Sequence, residues 1–144
     1  RMRKFALCSG YEDIKLPERS TVGSAGYDFF APYDFDIPAG ESLMIWTGVK
    51  CYMEAGDVLL LMPRSSMGRY GIRFSNTIGV IDESYVDNPT NEGEMGLPFI
   101  NNGNATWEVK KGDKIAQGIF TKYLVTDDDN VTAERTGGFG STGK

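Results

Sequence analysis

Short apolar runs recur along the chain, and most of them end at a turn signal. Residues 58–62 are uniformly apolar and stop at Pro63, while residues 77–81 are rich in β-branched side chains. Runs of four to eight such residues bounded by Gly, Pro, Asn or Asp are typical of β-strands. The pattern predicts about ten strands, over residues 4–8, 27–30, 34–37, 42–53, 58–62, 72–75, 77–81, 97–100, 107–109 and 115–125.

Two regions carry more specific expectations about how strands end and pair. Residues 42–53 are predicted to form one long strand with a bulge at Gly48. The turn Asn-Asn-Gly-Asn at 101–104, just before residues 107–109, predicts a hairpin. Residues 64–69 are the best candidate for a helical turn in a chain that shows no amphipathic helix.

Short strands separated by turns indicate an all-β sandwich, jelly roll or barrel. From Thr126 onward the chain is polar and Gly-rich, and such a segment is typical of an extended or mobile arm. We therefore expect a β core over residues 1–125 and a C-terminal arm over residues 126–144.

Composition narrows the classes of function. The 144 residues fit one domain, and a net charge of -5 argues against a general nucleic-acid binder. The chain has no histidine, so a proton acceptor is expected to be a carboxylate. Cys8 and Cys51 are too few for a zinc site and are expected to be buried free thiols, with a disulfide as the alternative. No secretory leader or membrane-length apolar run is visible, which predicts a cytoplasmic protein.

Residues 76–85 are the first candidate for a functional site. An apolar run delivers Asp82 to its tip, Tyr85 follows three residues later, and Gly79 would let a ligand approach the backbone closely. Taken alone, the stretch fits a core strand that runs into a solvated acidic turn at least as well.

Two further stretches could bind anions or bases. Arg64, Ser65 and Ser66 follow a buried strand, where a guanidinium, hydroxyls and free N–H groups could hold an anion, although a serine cap beside a solvated arginine is the simpler alternative. In the tail, Phe139 and Arg135 stand among glycines, a pattern suited to stacking on a base and holding phosphates. A disordered linker is the alternative for the tail.

Five short stretches together, in this order, strongly resemble the five motifs of the trimeric dUTPase family. The resemblance suggests a bacterial or phage member of that family. The five stretches are Ala-Gly-Tyr-Asp at 25–28, Pro-Arg-Ser-Ser-Met-Gly at 63–68, residues 76–85, Gly-Asp-Lys-Ile-Ala-Gln-Gly at 112–118, and the tail 135–143. The resemblance spans residues 25–143 and implies a distorted β jelly-roll, a homotrimer whose active sites are shared between subunits, and Mg2+ as cofactor. It also implies hydrolysis of dUTP to dUMP and pyrophosphate, which limits uracil in DNA and supplies dUMP for thymidylate synthesis.

The resemblance assigns roles to individual residues. Asn76 and the backbone at Gly79, Val80 and Ile81 would read the uracil, Tyr85 would lie under the sugar, and Asp82 would activate the attacking water. The phosphates would be held by Arg64, Ser65, Ser66 and Gln117, and Asp28 would reach Mg2+ through water, with the ion chelated mainly by the triphosphate. The arm that closes over the nucleotide of a neighbouring subunit would contribute Arg135, Phe139, Gly140, Ser141 and Thr142.

The chain departs from the family pattern after Tyr85. The family usually has a glycine two residues after this tyrosine, whereas residues 86–92 intervene here before Gly93. We expect this excursion, residues 86–92, to be exposed and to offer a surface for a protein partner. A dCTP deaminase of the same fold and a regulatory binding protein are the alternatives to a dUTP diphosphatase.

Overall fold

The computed structural model describes residues 2–140 and 142–143. Over this range the chain forms eleven strands and one short 3-10 helix at Ser65–Tyr70. The strands are β1 Lys4–Leu7, β2 Tyr27–Phe30, β3 Phe35–Ile37, β4 Ser42–Trp46, β5 Val49–Tyr52, β6 Asp57–Met62, β7 Ile72–Phe74, β8 Gly79–Asp82, β9 Gly96–Asn101, β10 Trp107–Val109 and β11 Lys114–Lys122. The all-β prediction with one short helical turn is confirmed.

The strands pair antiparallel in two larger sheets and two small ladders. The larger sheets have the orders β2-β11-β6-β8 and β4-β9-β7, and the ladders are β1-β5 and β3-β10. Strands from both larger sheets contribute to one hydrophobic core, for example Leu59 and Leu61 of β6 and Leu97 and Phe99 of β9. β8 lies at the edge of its sheet, with β6 as its paired neighbour.

The long bulged strand predicted over residues 42–53 is wrong. The chain turns at Gly48, which has φ 74°, and β4 and β5 then pair with different partners, β9 and β1. A side chain at Gly48 would lie 2.7 Å from both Tyr11 and Ile14, so only glycine fits there. Thr47 secures the turn by donating its hydroxyl to the Met95 carbonyl at 2.7 Å.

The predicted hairpin across residues 101–104 is also wrong, because β10 pairs with β3. The side chain of Asn101 explains the pairing. Its Nδ2 donates to the carbonyls of Ile37 and Ala105, both at 2.8 Å, and so ties the loop to the end of β3.

The excursion is more enclosed than the sequence suggested. Val86 and Asn88 are buried, and Lys50 binds Asp87 and Glu92 at 2.7 Å each. Asn88 forms a turn, since its Oδ1 accepts the backbone N–H groups of residues 90 and 91. The expectation of an exposed excursion therefore holds for residues 87, 89 and 90 and is wrong for Val86 and Asn88.

Cys8 and Cys51 are buried free thiols, as expected. Burial raises the pKa of each thiol to about 12, so both stay protonated at neutral pH. Among the described residues, no helix is long and apolar enough to cross a membrane.

Candidate active site

The β8 edge strand organises the first half of the site. Among the described residues β8 pairs on one edge alone, with β6, so backbone N–H and C=O groups on the other edge are available to a ligand. Val80 is 64% exposed on this strand. Gly79 has a second reason to be glycine, because a Cβ there would lie 3.1 Å from the Cβ of Leu61 on β6.

A cavity of about 330 Å³, here called the β8 cavity, brings together most of the residues singled out in the sequence. It is lined by Asn76, Gly79, Val80, Ile81, Asp82 and Tyr85 and, from the C-terminal arm, by Arg135, Phe139, Gly140 and Thr142. Ser141, the remaining arm residue of the prediction, lies outside the described residues.

Asp82 is held by a neighbour that sequence reasoning did not single out. Ser84 donates both its backbone N–H, at 3.1 Å, and its hydroxyl, at 2.5 Å, to Oδ1 of Asp82. The Asp-x-Ser spacing is the signal for such a local turn. The carboxylate therefore enters the cavity in a fixed orientation, with its two internal hydrogen bonds concentrated on one oxygen.

Tyr85 forms the buried wall of the cavity and is 4% exposed. Its hydroxyl donates to the Glu94 carbonyl at 2.6 Å and accepts from Nδ2 of Asn91 at 2.9 Å. The guanidinium of Arg135 lies 5.0 Å from the ring centroid, a cation–π contact. Burial is the main cause that raises the pKa of Tyr85, so the phenol is neutral at physiological pH.

The arm is shaped by Arg135, which donates to the carbonyls of Gly137 at 2.9 Å and Gly138 at 2.7 Å. These bonds fold the glycine-rich segment back on itself. Phe139 is half exposed, and its ring meets Trp46 edge to face at 5.9 Å. Arg135 thus braces the arm besides placing a positive charge at the cavity.

A second cavity of about 560 Å³, the β2 cavity, collects the other predicted residues. They are Asp28, Arg64, Ser65, Ser66 and Gln117. Asp28 on β2 faces Gln117 on β11, and a side chain at Gly26 would collide with the Gln117 amide.

Two cationic side chains lie beside the carboxylate of Asp28 in the β2 cavity. Arg64 Nε lies 3.2 Å and Lys114 Nζ 3.4 Å from its two carboxylate oxygens. Lys114 was not singled out from the sequence, although it follows Asp113 in the fourth motif. Two cations around one buried carboxylate leave net positive charge for an anionic ligand.

The serine-cap alternative for the second motif is excluded by the geometry of the 3-10 turn. Arg64 occupies the N-cap position, and no described side chain forms a cap hydrogen bond with the turn. The hydroxyls of Ser65 and Ser66 are exposed and remain available to a ligand in the β2 cavity.

A family model for dUTPase matches residues 12–143. The chain belongs to the dUTPase family.

Relatives within the dUTPase family match nearly the whole chain. A deoxyuridine 5'-triphosphate nucleotidohydrolase of Lactococcus lactis is 43% identical over 148 aligned positions, covering 99% of each chain. The enzyme of the same name from Cowpox virus is 37% identical, covering 90% of this chain and 86% of its own. The crystal structure of dUTPase from Streptococcus mutans superposes with a TM-score of 0.79 at 39% identity, over 85% of this chain and 98% of that one. The predicted jelly-roll-like fold is thereby confirmed.

The two cavities divide the motifs of the dUTPase family into separate groups. The third and fifth motifs meet in the β8 cavity, and the first, second and fourth meet in the β2 cavity. No residue lines both cavities within the part of the chain that the structure describes.

Proposed function

We propose that the chain hydrolyses dUTP to dUMP and pyrophosphate, as a dUTP diphosphatase, by attack of a water held by Asp82 on the α-phosphorus. Family membership and the relatives named above support this activity. The proposal rests mainly on the β8 cavity. There the open edge of β8, the carboxylate of Asp82 and the buried Tyr85 lie beside Phe139 of the arm.

The open edge of β8 supports recognition of the base. Backbone N–H and C=O groups near Val80 and Ile81, with the exposed amide of Asn76, would pair with the uracil edge. Cytosine exchanges donor for acceptor at adjacent positions, so it would leave polar groups unpaired. An unpaired buried polar group costs about 1–3 kcal/mol, enough for useful discrimination.

The burial of Tyr85 supports discrimination at the sugar. Its ring is fixed by two hydrogen bonds through the hydroxyl, so it cannot retreat from a ligand in the cavity. A deoxyribose would fit when packed on this ring, whereas the 2'-hydroxyl of a ribose would clash with the ring.

Asp82 supplies the proton acceptor. The oxygen of a water bound by the carboxylate attacks the α-phosphorus, its proton passes to Asp82, and the bond from the α-phosphorus to the bridging oxygen breaks to release pyrophosphate. The two bonds from Ser84 hold the carboxylate in place. Positioning and charge stabilisation around the phosphates supply much of the rate enhancement.

The β2 cavity would hold the phosphates through Arg64, Ser65, Ser66 and Gln117, and the arm would add Arg135, Gly140, Ser141 and Thr142, with Phe139 over the base. Asp28 offers hard oxygen donors suited to Mg2+, yet Arg64 and Lys114 already flank it. Among the described residues no group of three or more metal-ligating side chains converges. This donor set fits an ion held mostly by triphosphate oxygens and reached by Asp28 through water. Such an ion, when bound, neutralises phosphate charge.

The separation of the two cavities supports a homotrimer with shared sites. One nucleotide must reach base-reading and phosphate-binding residues at once, and a symmetric assembly can place the β8 cavity of one subunit against the β2 cavity of another. β11 ends at Lys122, close to the proposed division between a core over residues 1–125 and an arm over residues 126–144. In the single chain the arm lies on its own β8 cavity. We propose that in the trimer it closes over a neighbour's site.

The test is pyrophosphate release from a panel of dUTP, dCTP, dTTP and UTP, with and without Mg2+. We expect release from dUTP alone at a substantial rate, strongest with Mg2+. Ammonia release from dCTP would instead identify a dCTP deaminase, and binding of dUTP without turnover would favour a regulatory protein.

A further inference from the structure

Asn91 lies in the excursion, outside the five family motifs, yet its side chain touches the site. Its Oδ1 accepts from Asn88 Nδ2 at 2.8 Å and from the Gly93 N–H at 3.0 Å, and its Nδ2 donates to the Tyr85 hydroxyl at 2.9 Å. Two donors face the oxygen and an acceptor faces the nitrogen, so the orientation of the amide is fixed.

The hydrogen bond from Asn91 determines what the Tyr85 hydroxyl can do. Since Asn91 occupies its acceptor side, the phenolic proton points to the Glu94 carbonyl at 2.6 Å. The tip of the Tyr85 ring is therefore held between Asn91 and Glu94, two residues near the C-terminal end of the segment that joins β8 to β9.

The other face of the Asn91 amide is covered by the arm. Gly138 is buried there, and a Cβ at this position would lie 3.0–3.1 Å from Cγ, Nδ2 and Oδ1 of Asn91. The amide cannot swing aside without weakening its three hydrogen bonds, so a residue larger than glycine would strain this contact. Arg135 presents Gly138 to it by binding the Gly138 carbonyl at 2.7 Å.

We propose that Asn91 is a positioning residue that holds Tyr85 under the sugar and forms the surface against which Gly138 of the arm packs. The inference rests on the proposed function of Tyr85 as the sugar-contacting residue. It gives the excursion a role within the active site: one amide contacts both the sugar wall and the arm that completes the pocket.

The first experiment compares kcat/KM for dUTP and UTP in the wild type, Asn91→Ala and Thr90→Ala. Loss of one neutral hydrogen bond that holds Tyr85 should lower the dUTP-over-UTP preference by about 3- to 10-fold in Asn91→Ala. Thr90 is exposed in the same excursion, and Thr90→Ala should keep the wild-type ratio. An unchanged ratio in Asn91→Ala, or an equal fall in both variants, would overturn the positioning role.

The second experiment tests the contact with the arm by a double-mutant cycle. Gly138→Ala should raise KM for dUTP several-fold, because its methyl group meets the fixed amide. In the Asn91→Ala background the colliding atoms are gone, so Gly138→Ala should add little further loss. If Gly138→Ala raises KM for dUTP equally in both backgrounds, Asn91 does not contact the arm, whichever subunit supplies it.

The two proposals fail in different ways. A wild-type protein that releases no pyrophosphate from dUTP would overturn the proposed function and this inference with it. A wild type that hydrolyses dUTP and rejects UTP, combined with an unchanged ratio in Asn91→Ala and additive losses with Gly138→Ala, would overturn this inference alone.

Discussion

Ser84 donates both its backbone N–H and its hydroxyl to one oxygen of Asp82, at 3.1 and 2.5 Å. These two hydrogen bonds order the turn after β8, which the sequence alone also allowed to be a solvated acidic turn. They fix a carboxylate at the rim of a cavity that also contains a buried tyrosine and the C-terminal arm.

Asp82→Asn should reduce turnover of dUTP by about 100- to 10,000-fold, because the amide cannot accept the proton of the attacking water. Binding of dUMP should persist, since the amide is nearly the same size as the carboxylate. Single-turnover kinetics and calorimetric titration with dUMP measure the two effects. A near-normal rate in this variant would remove Asp82 from the role of proton acceptor.

Ser84→Ala is a milder companion to that variant. It removes the hydroxyl donor and keeps the backbone bond, so kcat should fall by about 3- to 10-fold with little change in KM. If KM rises while kcat stays constant, Ser84 contributes to binding of the nucleotide and not to orientation of the carboxylate.

Truncation after Thr136 should leave dUMP binding measurable and reduce hydrolysis of dUTP by at least about 10-fold, because Phe139 and the end of the arm proposed to face the phosphates are lost. Phe139→Ala separates the contribution of the ring from that of the backbone. Trp46, which Phe139 meets edge to face, gives a fluorescence signal for the position of the arm. Full activity of the truncated chain would show that the arm has no part in catalysis.

Mixed oligomers of Asp82→Asn and Arg64→Ala subunits should regain activity that neither variant has alone. If the β8 cavity of one subunit works with the β2 cavity of another, random mixing restores about a quarter of the sites. Sedimentation should report a trimer for both variants. An active monomer, or mixtures no more active than their parents, would mean that each site lies within one subunit.

Asp57 links the N-terminal segment to β6 and β11. Arg3 lies 2.6 Å and Lys122 2.6 Å from its carboxylate, and the hydrogen bond from Arg3 is the main cause that lowers the pKa of Asp57. A lowered pKa in the folded state gives stability that is present above the unfolded-state pKa and is lost as pH falls toward the folded-state pKa.

Asp57→Asn should therefore lower Tm by about 5 °C at pH 7 and by less near pH 3. Thermal denaturation at both pH values measures the difference, and Asp36→Asn, on an exposed position of β3, serves as the control. An equal shift at both pH values would show that packing, and not charge, accounts for the effect.

Local signals were enough for much of the fold. Residues 58–62 of β6 are an apolar run ended by Pro63, and the 3-10 helix follows where the sequence placed a helical turn. The break at Gly48 and the pairing of β10 with β3 were missed because both depend on distant partners, Tyr11 and Ile14 in one case and Ile37 in the other.

In the candidate site, too, local sequence signals identified some residues, and others became apparent only from the fold. The motifs identified the residues that line the two cavities, since their chemistry is visible in the sequence. Asn91 gave no such signal, because its importance comes from the fold, which brings the excursion against Tyr85 and Gly138. The sequence suggested an exposed surface over the whole excursion, whereas Val86 and Asn88 are buried and the side chain of Asn91 contacts Tyr85.

Hydrolysis of dUTP in water labelled with 18O shows which phosphorus the water attacks, and Asp82→Asn shows whether that attack depends on the carboxylate. Mass spectrometry of the products should find the label in dUMP and unlabelled pyrophosphate, with neither product formed at an appreciable rate by Asp82→Asn. Label in pyrophosphate, or release of inorganic phosphate, would place the attack on another phosphorus and contradict the proposed mechanism.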